Sequence, residues 1–258
     1  MSFRPVRIVI TGASRGIGAA LAENYAGPGV SLALIGRHAE GLEGIAAGCR
    51  ARGAAVETIL LDVRQREALA QRLLGLDDAA PVDLVVANAG VALPTGNGAV
   101  DLTVYGEIDV NLVGALNTIL PLAPRMAARG RGQIALMSSL AAFAPLPSSP
   151  GYGATKAALL VYGLALRERL RGAGVRVSVI CPGYIDTEMG ERYRGWRPLH
   201  MSAGDAARRI RRGLERDRGV IAFPRRLALV ARLAPLVPER LRRIGLGAFR
   251  FRLDPTEG

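Results

Sequence analysis

The sequence predicts an α/β fold in which helices cover both faces of a doubly wound parallel sheet. Two observations predict it. Short apolar, β-branched runs alternate with Ala- and Leu-rich segments of helical length over the first 190 residues. The runs are apolar at successive positions rather than at every second one, which is typical of parallel strands buried on both faces. Right-handed crossover connections between such strands give the doubly wound arrangement.

The predicted elements follow in chain order. Strands are predicted at residues 6–11, 31–35, 58–61, 82–87, 133–137, 175–180 and 220–223. Helices are predicted at residues 17–26, 39–51, 64–76, 102–129 and 153–171, and Ser202 begins a capped helix that runs to about Glu215. No repeat or linker divides the first 190 residues, so we expect a single domain over residues 1–223, followed by a basic, amphipathic C-terminal extension over 224–258.

Composition limits the class of protein. A chain of 258 residues that is 50% hydrophobic can bury a sizeable core. The N-terminal residues lack the charged, apolar and cleavage regions of a secretion signal, and the two cysteines, Cys49 and Cys181, have no metal-binding spacing. The longest uncharged stretch, residues 133–155, contains three prolines and is unsuited to cross a membrane as a helix. We therefore expect a cytoplasmic protein without a metal site.

A glycine-rich turn follows the first predicted strand and opens the first predicted helix. It reads Thr11-Gly-Ala-Ser-Arg-Gly-Ile-Gly18, and its glycines permit a tight turn and a close approach of phosphate to the helix N-terminus. The spacing differs from the common GxGxxG and lacks the Gly-Lys-Ser/Thr ending of ATP-binding P-loops. It predicts a Rossmann-like dinucleotide site that includes Gly12, Ser14, Arg15, Gly16, Ile17 and Gly18.

The end of the second predicted strand bears on which dinucleotide binds. Folds that hold a free ribose 2′-hydroxyl usually place Asp or Glu there, whereas a 2′-phosphate needs cationic partners. This chain reads Gly36-Arg37-His38, without a carboxylate. Arg37 and Arg15 could clamp a phosphate, which favours NADP over NAD. The alternative is two ordinary solvated arginines in an arginine-rich chain.

Lys156 is the only lysine among the 34 basic residues, and it follows Tyr152 by four positions. On a helix the two side chains lie one turn apart on the same face and can meet around one ligand. Lysine carries a compact charge with an adjustable pKa, and a nearby cation lowers the pKa of a tyrosine from about 10. The pair is a candidate acid–base site, although these two residues alone fit a surface lysine beside a half-buried tyrosine equally well.

Taken together, residues 6–187 resemble the short-chain dehydrogenase/reductase family, with motifs in the family's order over about seven tenths of the chain. The glycine turn is similar to the family's cofactor motif. Asn111 and the Tyr-x-x-x-Lys pair match its catalytic positions, and Ser139 lies thirteen residues before Tyr152, as the family's catalytic serine does. Further matches are Asp62-Val63, Asn88-Ala89-Gly90 and the Pro-Gly-x-x-x-Thr segment from Pro182 to Thr187.

The resemblance implies a role for each motif residue. Tyr152 would exchange a proton with the substrate oxygen as hydride passes between substrate and nicotinamide, and Ser139 would hydrogen-bond that oxygen. Lys156 would bind the nicotinamide ribose and lower the tyrosine pKa, and Asn111 would hold a water on the proton path. Ser138 should point away from Ser139 by strand alternation. The implied cofactor-binding residues beyond the glycine turn are Arg37, Asp62, Val63, Asn88, Ala89, Gly90, Tyr152, Lys156, Pro182, Gly183, Ile185 and Thr187.

The sequence indicates the substrate less clearly than the cofactor. Residues that follow the fourth predicted strand or flank the catalytic positions are mostly apolar, and no arginine cluster suggests a phosphorylated or carboxylated substrate. This pattern indicates an apolar ketone, aldehyde or secondary alcohol, and a loosely packed lid is an equal alternative. The candidate pocket residues are Val91, Leu93, Phe143, Pro145, Tyr184, Met189 and Trp196.

The C-terminal part of the chain, residues 191–258, which includes the extension, carries most of the excess positive charge. The net charge is +12, and residues 191–258 hold 17 basic and 7 acidic side chains, whereas residues 1–190 hold 17 and 15. Arginines alternate with bulky apolar residues on short, proline-bounded segments. Such a segment suits an interfacial helix on an anionic membrane surface, or an amphipathic extension that packs on its own or a neighbouring subunit. No nucleic-acid-binding module accompanies the charge, so we expect no nucleic acid partner.

The sequence therefore favours an NADP(H)-dependent oxidoreductase that acts on the carbonyl or secondary alcohol of an apolar small molecule. The resemblance further implies a homodimer or homotetramer, because many family members assemble through paired connecting helices. The main alternatives are a non-catalytic nucleotide-binding module and a membrane-surface interaction module on the same fold. The intact set of Asn111, Ser139, Tyr152 and Lys156 argues against a module without turnover.

Overall fold

The computed structural model describes residues 4–94, 102–238 and 252–253. Its centre is a seven-stranded sheet in which every neighbouring pair of strands is parallel. The order is β7-β6-β5-β4-β1-β2-β3, so the chain reverses its direction of travel between β1 and β4. This confirms the predicted doubly wound sheet. The strands are β1 Arg7–Thr11, β2 Ser31–Gly36, β3 Ala55–Leu60, β4 Leu84–Ala87, β5 Gly132–Met137, β6 Val175–Pro182 and β7 Val220–Phe223.

The connecting helices lie on both faces of the sheet. We number them α1 Gly16–Tyr25, α2 Ala39–Ala51, α3 Arg66–Ala79, α4 over residues 104–119, α5 Ala123–Ala128, α6 Pro150–Leu170, α7 Ala203–Glu215 and α8 Arg225–Leu233. Helix α4 contains a wider π-helical turn at Ile108–Val113. Shorter pieces are the 3₁₀ turns Leu140–Ala142, Arg171–Ala173 and Ala234–Leu236, the helical turn Glu188–Glu191, and the strand pairs Ile185–Asp186 with Met201–Ser202 and Tyr193–Arg194 with Arg252–Leu253.

Side-chain alternation along the strands produces one core on each face. Ile8 and Ile10 of β1 pack with α1, α2 and α7, whereas Val9 between them packs with α3 to α6. Successive side chains of a strand point to opposite faces, so a strand covered on both sides must be apolar at every position. All of Ile8, Val9 and Ile10 are at most 1% exposed, which accounts for the continuous apolar runs in the sequence.

One long predicted helix is two helices in the structure. Residues 102–129 were expected as a single element, but α4 ends at Ile119 and α5 begins at Ala123. The reason is Pro121, which has no backbone N–H to donate to the preceding turn and collides with it. Pro124 lies at the start of α5, where a proline is tolerated because the first helical N–H groups have no partner inside the helix.

The C-terminal extension begins with a helix that packs on the domain. Ala228 of α8 joins a small apolar cluster with Leu140, Leu160, Val179 and Cys181. Residues 239–251 and 254–258 of the extension lie outside the described residues, so the division at residue 223 stays a prediction. Among the helices that the structure describes, none combines the length and the apolar character needed to cross a bilayer.

Candidate active site

A cavity of about 580 Å³ opens at the carboxyl ends of the strands, where the strand order reverses. This position is the usual ligand site of open α/β sheets, because two neighbouring crossover connections diverge there and leave a crevice. The glycine turn and the ends of β2 to β4 line one end of the cavity, and residues after β5 and β6 line the other. The cavity therefore joins the predicted cofactor residues to the predicted catalytic residues.

The glycine turn has a backbone that requires glycine. Gly12 and Gly16 have φ values of 65° and 60°, in the left-handed region that disfavours side chains. A Cβ atom at Gly18 would lie 2.3 Å from the Gly12 carbonyl oxygen, closer than any real contact. Gly18 therefore shapes the turn from behind, while Gly12, Ser14, Arg15, Gly16 and Ile17 line the cavity.

Thr11 and Asn88 join the glycine turn to the end of β4. The Asn88 side-chain amide donates to the Thr11 and Gly12 carbonyl oxygens at 2.9 and 3.1 Å. The Thr11 hydroxyl accepts from the Asn88 and Ala89 backbone N–H groups at 3.1 and 3.3 Å and donates to the Val86 carbonyl oxygen at 3.3 Å. The Asn88 side chain thus holds two loops together.

Arg15 and Arg37 both line the cavity, and both are paired with carboxylates. Arg15 forms an ion pair with Glu188, and Arg37 Nη1 lies 3.6 Å from Asp62 Oδ2. The arginine side chains are 56% and 48% exposed, and pairs this exposed contribute about 0–1 kcal/mol. Asp62 also accepts from Arg64 at 2.7 Å, and this hydrogen bond, with help from Arg37, holds the pKa of the Asp62 carboxyl below its usual value. Such weak partners can be exchanged for an entering anion.

Tyr152 and Lys156 lie one turn apart on α6, and the Lys156 ammonium is 5.4 Å from the centroid of the tyrosine ring. Lys156 is 3% exposed and donates to the Met137 carbonyl oxygen at 2.9 Å, which excludes a surface lysine. Burial disfavours its charged form and lowers its pKa to about 8. The pair is thus built into the interior, at the wall of the cavity.

The pKa of Tyr152 departs from the expectation that Lys156 lowers it. Burial raises the pKa of the phenol to about 12, and a hydrogen bond with Ser139 opposes this rise only in part. Removal of the phenol from water is the largest cause of the rise, since desolvation disfavours the charged form. In the protein alone, Tyr152 is therefore a protonated phenol at neutral pH.

The two adjacent serines point in different directions. The Ser139 hydroxyl caps the 3₁₀ turn Leu140–Ala142, where it accepts from the Ala141 N–H at 3.1 Å, and it lines the cavity. The Ser138 hydroxyl donates to the Lys156 carbonyl oxygen at 2.7 Å and is 2% exposed. The geometry agrees with the structural role expected for Ser138, which fixes the backbone of α6 at the lysine.

Asn111 lies behind the cavity wall. Its side-chain oxygen accepts from the Val91 N–H at 2.7 Å, and its amide donates to the Val91 carbonyl oxygen at 2.9 Å and to the Thr155 hydroxyl at 3.2 Å. The side chain is fully buried within the π-helical turn of α4. Its observed contacts fix the loop after β4, and a bound water remains a prediction.

The remaining expected residues divide into those that line the cavity and those that do not. All expected cofactor-binding residues except Gly18 line it, namely those of the glycine turn, Arg37, Asp62, Val63, Asn88, Ala89, Gly90, Tyr152, Lys156, Pro182, Gly183, Ile185 and Thr187. Of the expected pocket residues, Val91, Leu93, Pro145, Tyr184 and Met189 line it. Phe143 instead stacks on the Arg232 guanidinium, 5.0 Å from its ring centroid, and Trp196 is 62% exposed on the surface.

Helix α8 supplies part of the wall that the sequence reasoning missed. Three residues of α8 and the residue that directly follows it line the cavity, at the end away from the glycine turn. They are Leu227, Val230, Ala231 and Ala234. Their spacing of three, four and seven residues is that of one helical face, and this pattern was visible in the sequence of the extension. The extension therefore contributes to the site as well as carrying charge.

Within residues 4–94 and 102–238, no group of three or more His, Cys, Asp or Glu side chains is arranged so that it could hold a metal ion. Cys49 and Cys181 are both buried, free thiols. The polar side chains that line the cavity are those of Ser14, Arg15, Arg37, His38, Asp62, Asn88, Ser138, Ser139, Tyr152, Lys156, Tyr184, Thr187, Glu188 and Arg192.

Comparisons with known proteins agree with this geometry. Residues 7–198 match the family model of the short chain dehydrogenases. An uncharacterized oxidoreductase of Myxococcus xanthus is 37% identical over 243 residues, which cover 93% of this chain and 95% of that protein. A short-chain dehydrogenase of Sphingobium yanoikuyae in complex with NADPH is 28% identical, with a TM-score of 0.77 and coverage of 97% and 98%. A 3-oxoacyl-[acyl-carrier protein] reductase of Brucella melitensis with bound NAD is 26% identical, with a TM-score of 0.73 and coverage of 86% and 90%.

The family assignment thus rests on matched length, matched fold and a matched order of elements, and the solved relatives bind nicotinamide cofactors of both kinds. The parallel sheet, the glycine turn and the buried Tyr-x-x-x-Lys pair converge on one interpretation. This chain belongs to the short-chain dehydrogenase family of oxidoreductases.

Proposed function

We propose that this protein is an NADP(H)-dependent oxidoreductase that interconverts a carbonyl group and a secondary alcohol on an apolar small molecule. The observation that carries the proposal is the pairing of the half-buried Tyr152 with the buried Lys156, with Ser139 beside them, at the wall of a largely apolar cavity. A phenol and an ammonium held in the protein interior at this spacing suit the transfer of one proton to or from a substrate oxygen.

The described residues fit a dinucleotide. The glycine turn leaves no Cβ atoms where the chain must come close to a phosphate, and Gly90 lies where a Cβ would come within 3.1 Å of Asn111 Oδ1 and 3.3 Å of Lys156 Nζ. Gly12, Gly16 and Ile17 would hold the diphosphate at the start of α1, and Asp62 and Val63 would contact the adenine. Pro182 to Thr187 would lie along the nicotinamide. When bound, the nicotinamide supplies or accepts the hydride.

The side chains at the other end of the cavity supply the acid–base chemistry. Ser139 donates a hydrogen bond to the substrate oxygen and orients the carbonyl carbon. Tyr152, which is protonated at neutral pH in the protein alone, gives its proton to that oxygen during reduction. The ammonium of Lys156 stabilises the resulting phenolate, and Asn111 fixes Val91 in the wall of the site.

Arg15 and Arg37 favour NADP. Both arginines line the cavity, Arg15 from the glycine turn and Arg37 from the end of β2, and each guanidinium forms an ion pair in which the arginine is about half exposed. A ribose 2′-phosphate would offer two such groups a bidentate, charge-assisted interaction. The NADPH complex of the relative that covers 97% of this chain supports this choice, although a relative with NAD shares the fold.

The test follows cofactor oxidation during a screen of ketones, aldehydes and secondary alcohols, weighted toward bulky apolar compounds. We expect turnover with NADPH by the wild type and its loss in Tyr152→Phe, which keeps the ring but removes the acid. Tyr162→Phe, on the same helix, is the matched control and should keep full activity. Undiminished rates in Tyr152→Phe would remove the proton-donor role, and a screen without turnover would favour the non-catalytic module.

A second proposal concerns the outer face of α8, because its apolar side chains are exposed. Leu229 and Leu233 of α8 are 59% and 49% exposed, and Leu236 in the following 3₁₀ turn is 78% exposed. Residues 224–238 contain three arginines and no carboxylate. Apolar side chains flanked by guanidinium groups suit the interface of an anionic membrane. This helix would then place the apolar wall of the cavity beside the lipid that supplies an apolar substrate.

Sedimentation with phosphatidylglycerol vesicles tests the membrane proposal. We expect the wild type to sediment with them, and the double variant Leu229→Ser/Leu233→Ser to stay in the supernatant. Leu60→Ser changes a leucine that is 61% exposed far from α8 and serves as control. A wild type that remains in the supernatant contradicts the proposal. A double variant that instead changes the oligomeric state assigns this face to contact between copies.

Exposed apolar side chains on α4 and α6 support the expected homodimer or homotetramer. Val113 and Leu120 are 39% and 46% exposed, and Val161 and Leu164 are 69% and 39% exposed. Light scattering after size-exclusion chromatography measures the mass of the assembly. We expect Val161→Glu to reduce it, because a carboxylate at the centre of an apolar contact loses water without gaining a partner.

A further inference from the structure

Glu107 is a buried carboxylate close to the catalytic pair that none of the roles above uses. Glu107 is 1% exposed and directly precedes the π-helical turn of α4. One carboxylate oxygen, Oε1, accepts a hydrogen bond from the Leu93 N–H at 3.0 Å. Removing a charged group from water costs free energy, so we expect contacts around Glu107 that offset this cost.

Gly151 gives the position of the second oxygen of Glu107. A Cβ atom on Gly151 would lie 2.4 Å from Glu107 Oε2, so only a glycine leaves room for the carboxylate. Gly151 directly precedes Tyr152 at the start of α6, and Leu93 lies in the wall of the cavity. The carboxylate therefore bridges the loop after β4 and the helix that carries the catalytic tyrosine.

The groups around the Tyr152 phenol come from four elements. Ser139 after β5 hydrogen-bonds the phenol, and the Lys156 ammonium on α6 lies 5.4 Å from the ring centroid. Glu107 of α4 and Cys181 of β6 are the titratable groups whose charge acts on the phenol. The charge of Glu107 raises the pKa of Tyr152 and also raises that of Lys156. A negative charge at this place disfavours phenolate and favours ammonium, whichever substrate is bound.

We propose that Glu107 is a positioning residue that ties the substrate-facing loop at Leu93 to the start of α6 and places a carboxylate beside the helical turn that carries the proton donor Tyr152. The protein would then be set for proton donation, and so for carbonyl reduction, at neutral pH. Alcohol oxidation, which needs the phenolate as base, would begin only at higher pH. This inference rests on the proposed function, because it assigns Tyr152 as the proton donor.

Two variants separate the charge of Glu107 from its hydrogen bond. Glu107→Gln keeps the shape and an oxygen acceptor for the Leu93 N–H but removes the charge. Glu107→Leu removes both. We expect Glu107→Gln to lower the pKa of Tyr152, since a repelling charge is lost, and to leave the KM for substrate near that of the wild type. Glu107→Leu should lower the pKa similarly and raise KM as the Leu93 loop loosens.

The first readout needs neither cofactor nor turnover. Phenolate absorbance is titrated with alkali in each protein and in its partner that also carries Tyr152→Phe, and the difference isolates Tyr152. The second readout is the rate of alcohol oxidation against pH. In Glu107→Gln we expect oxidation at a fixed pH below the pKa to increase on the order of tenfold, which corresponds to about one pKa unit.

An unchanged Tyr152 titration in Glu107→Gln, together with an unchanged oxidation profile, would overturn the inference and leave Glu107 a packing residue. Should Glu107→Leu fail to fold, Glu107→Gln alone still decides the matter. Failure of the proposed function has a different signature, because a wild type without turnover on any carbonyl would still give a phenolate titration for Tyr152.

Discussion

The two ends of the cavity are constructed by different physical means. At the glycine turn, backbone atoms set the shape: Gly12 has a positive φ, Gly18 touches the Gly12 carbonyl, and Asn88 holds both loops by hydrogen bonds. At the α8 end, side chains such as Leu227 and Ala231 set the shape. A surface made of backbone admits few substitutions, whereas an apolar wall accepts many side chains of similar volume. The cofactor end should therefore respond to mutation sharply and the substrate end gradually.

The largest effect is expected for Gly18→Ala. The new methyl group would lie 2.3 Å from the Gly12 carbonyl oxygen and 2.6 Å from the Asn88 side-chain nitrogen, so the turn must move. We expect a loss of about 1–3 kcal/mol in the free energy of unfolding and a loss of NADPH binding. Thermal denaturation and a cofactor fluorescence titration measure the two effects.

Gly48→Ala provides the matched control. Gly48 lies on α2, and a Cβ there meets nothing within 4 Å. Alanine should stabilise the helix by about 0.5–1 kcal/mol and leave cofactor binding unchanged. Equal melting temperatures for the Gly18 and Gly48 variants would show that the glycine turn can accept a methyl group, and would contradict a cofactor end that responds sharply to mutation.

The next effect concerns the choice of cofactor. Arg37→Asp replaces a cation at the end of β2 with the carboxylate that NAD-binding folds usually carry there. A charge-assisted hydrogen bond contributes about 1.5–3 kcal/mol, so we expect the preference for NADPH over NADH to fall by roughly 10- to 100-fold. Steady-state kinetics with each cofactor give the ratio. Arg66→Asp, an exposed charge reversal on α3, is the control, and a preference for NADPH as strong as that of the wild type in Arg37→Asp contradicts the NADP assignment.

At the substrate end, Ala231→Leu should act on substrate alone. Ala231 lines the cavity from α8, and a larger apolar side chain reduces the room for a bulky substrate without touching the glycine turn. We expect KM for bulky carbonyls to rise about three- to tenfold, KM for small ones to change little, and NADPH affinity to stay the same. A parallel loss of NADPH affinity would mean that the two ends of the cavity are not independent.

The same contrast decides how much the sequence could predict. The parallel strands, the last strand at Val220–Phe223 and the Ser202 cap follow from local patterns, and the structure has them. The cofactor-facing wall could also be predicted, because each segment that lines it is a short run of neighbouring residues with its own motif, such as 12–17 and 88–90. Pro121 divided a helix that its composition favoured, which shows a single residue overriding the average propensity of its neighbours.

The substrate wall could be predicted only in part, because it combines segments far apart in sequence. Phe143 closely follows Ser139 in sequence, yet its ring lies against the Arg232 guanidinium of α8. No local sequence pattern predicts a contact between residues so far apart in the chain. The pKa of Tyr152 is a second example. The sequence places an ammonium one turn away, but only the structure gives the desolvation that raises this pKa and the nearby carboxylate of Glu107.

The smallest effect tests whether the polar end of the cavity is adjustable at all. Glu188 holds Arg15 in an exposed ion pair, and a bound phosphate must compete with it. Glu188→Gln removes the competing charge, and because exposed pairs contribute about 0–1 kcal/mol, we expect NADPH affinity to rise by no more than about fivefold. NADH affinity should stay constant, since only the 2′-phosphate needs Arg15, and added salt should reduce the gain. Fluorescence titrations of both cofactors provide the comparison, and an equal gain for NADH would place Arg15 against the diphosphate instead.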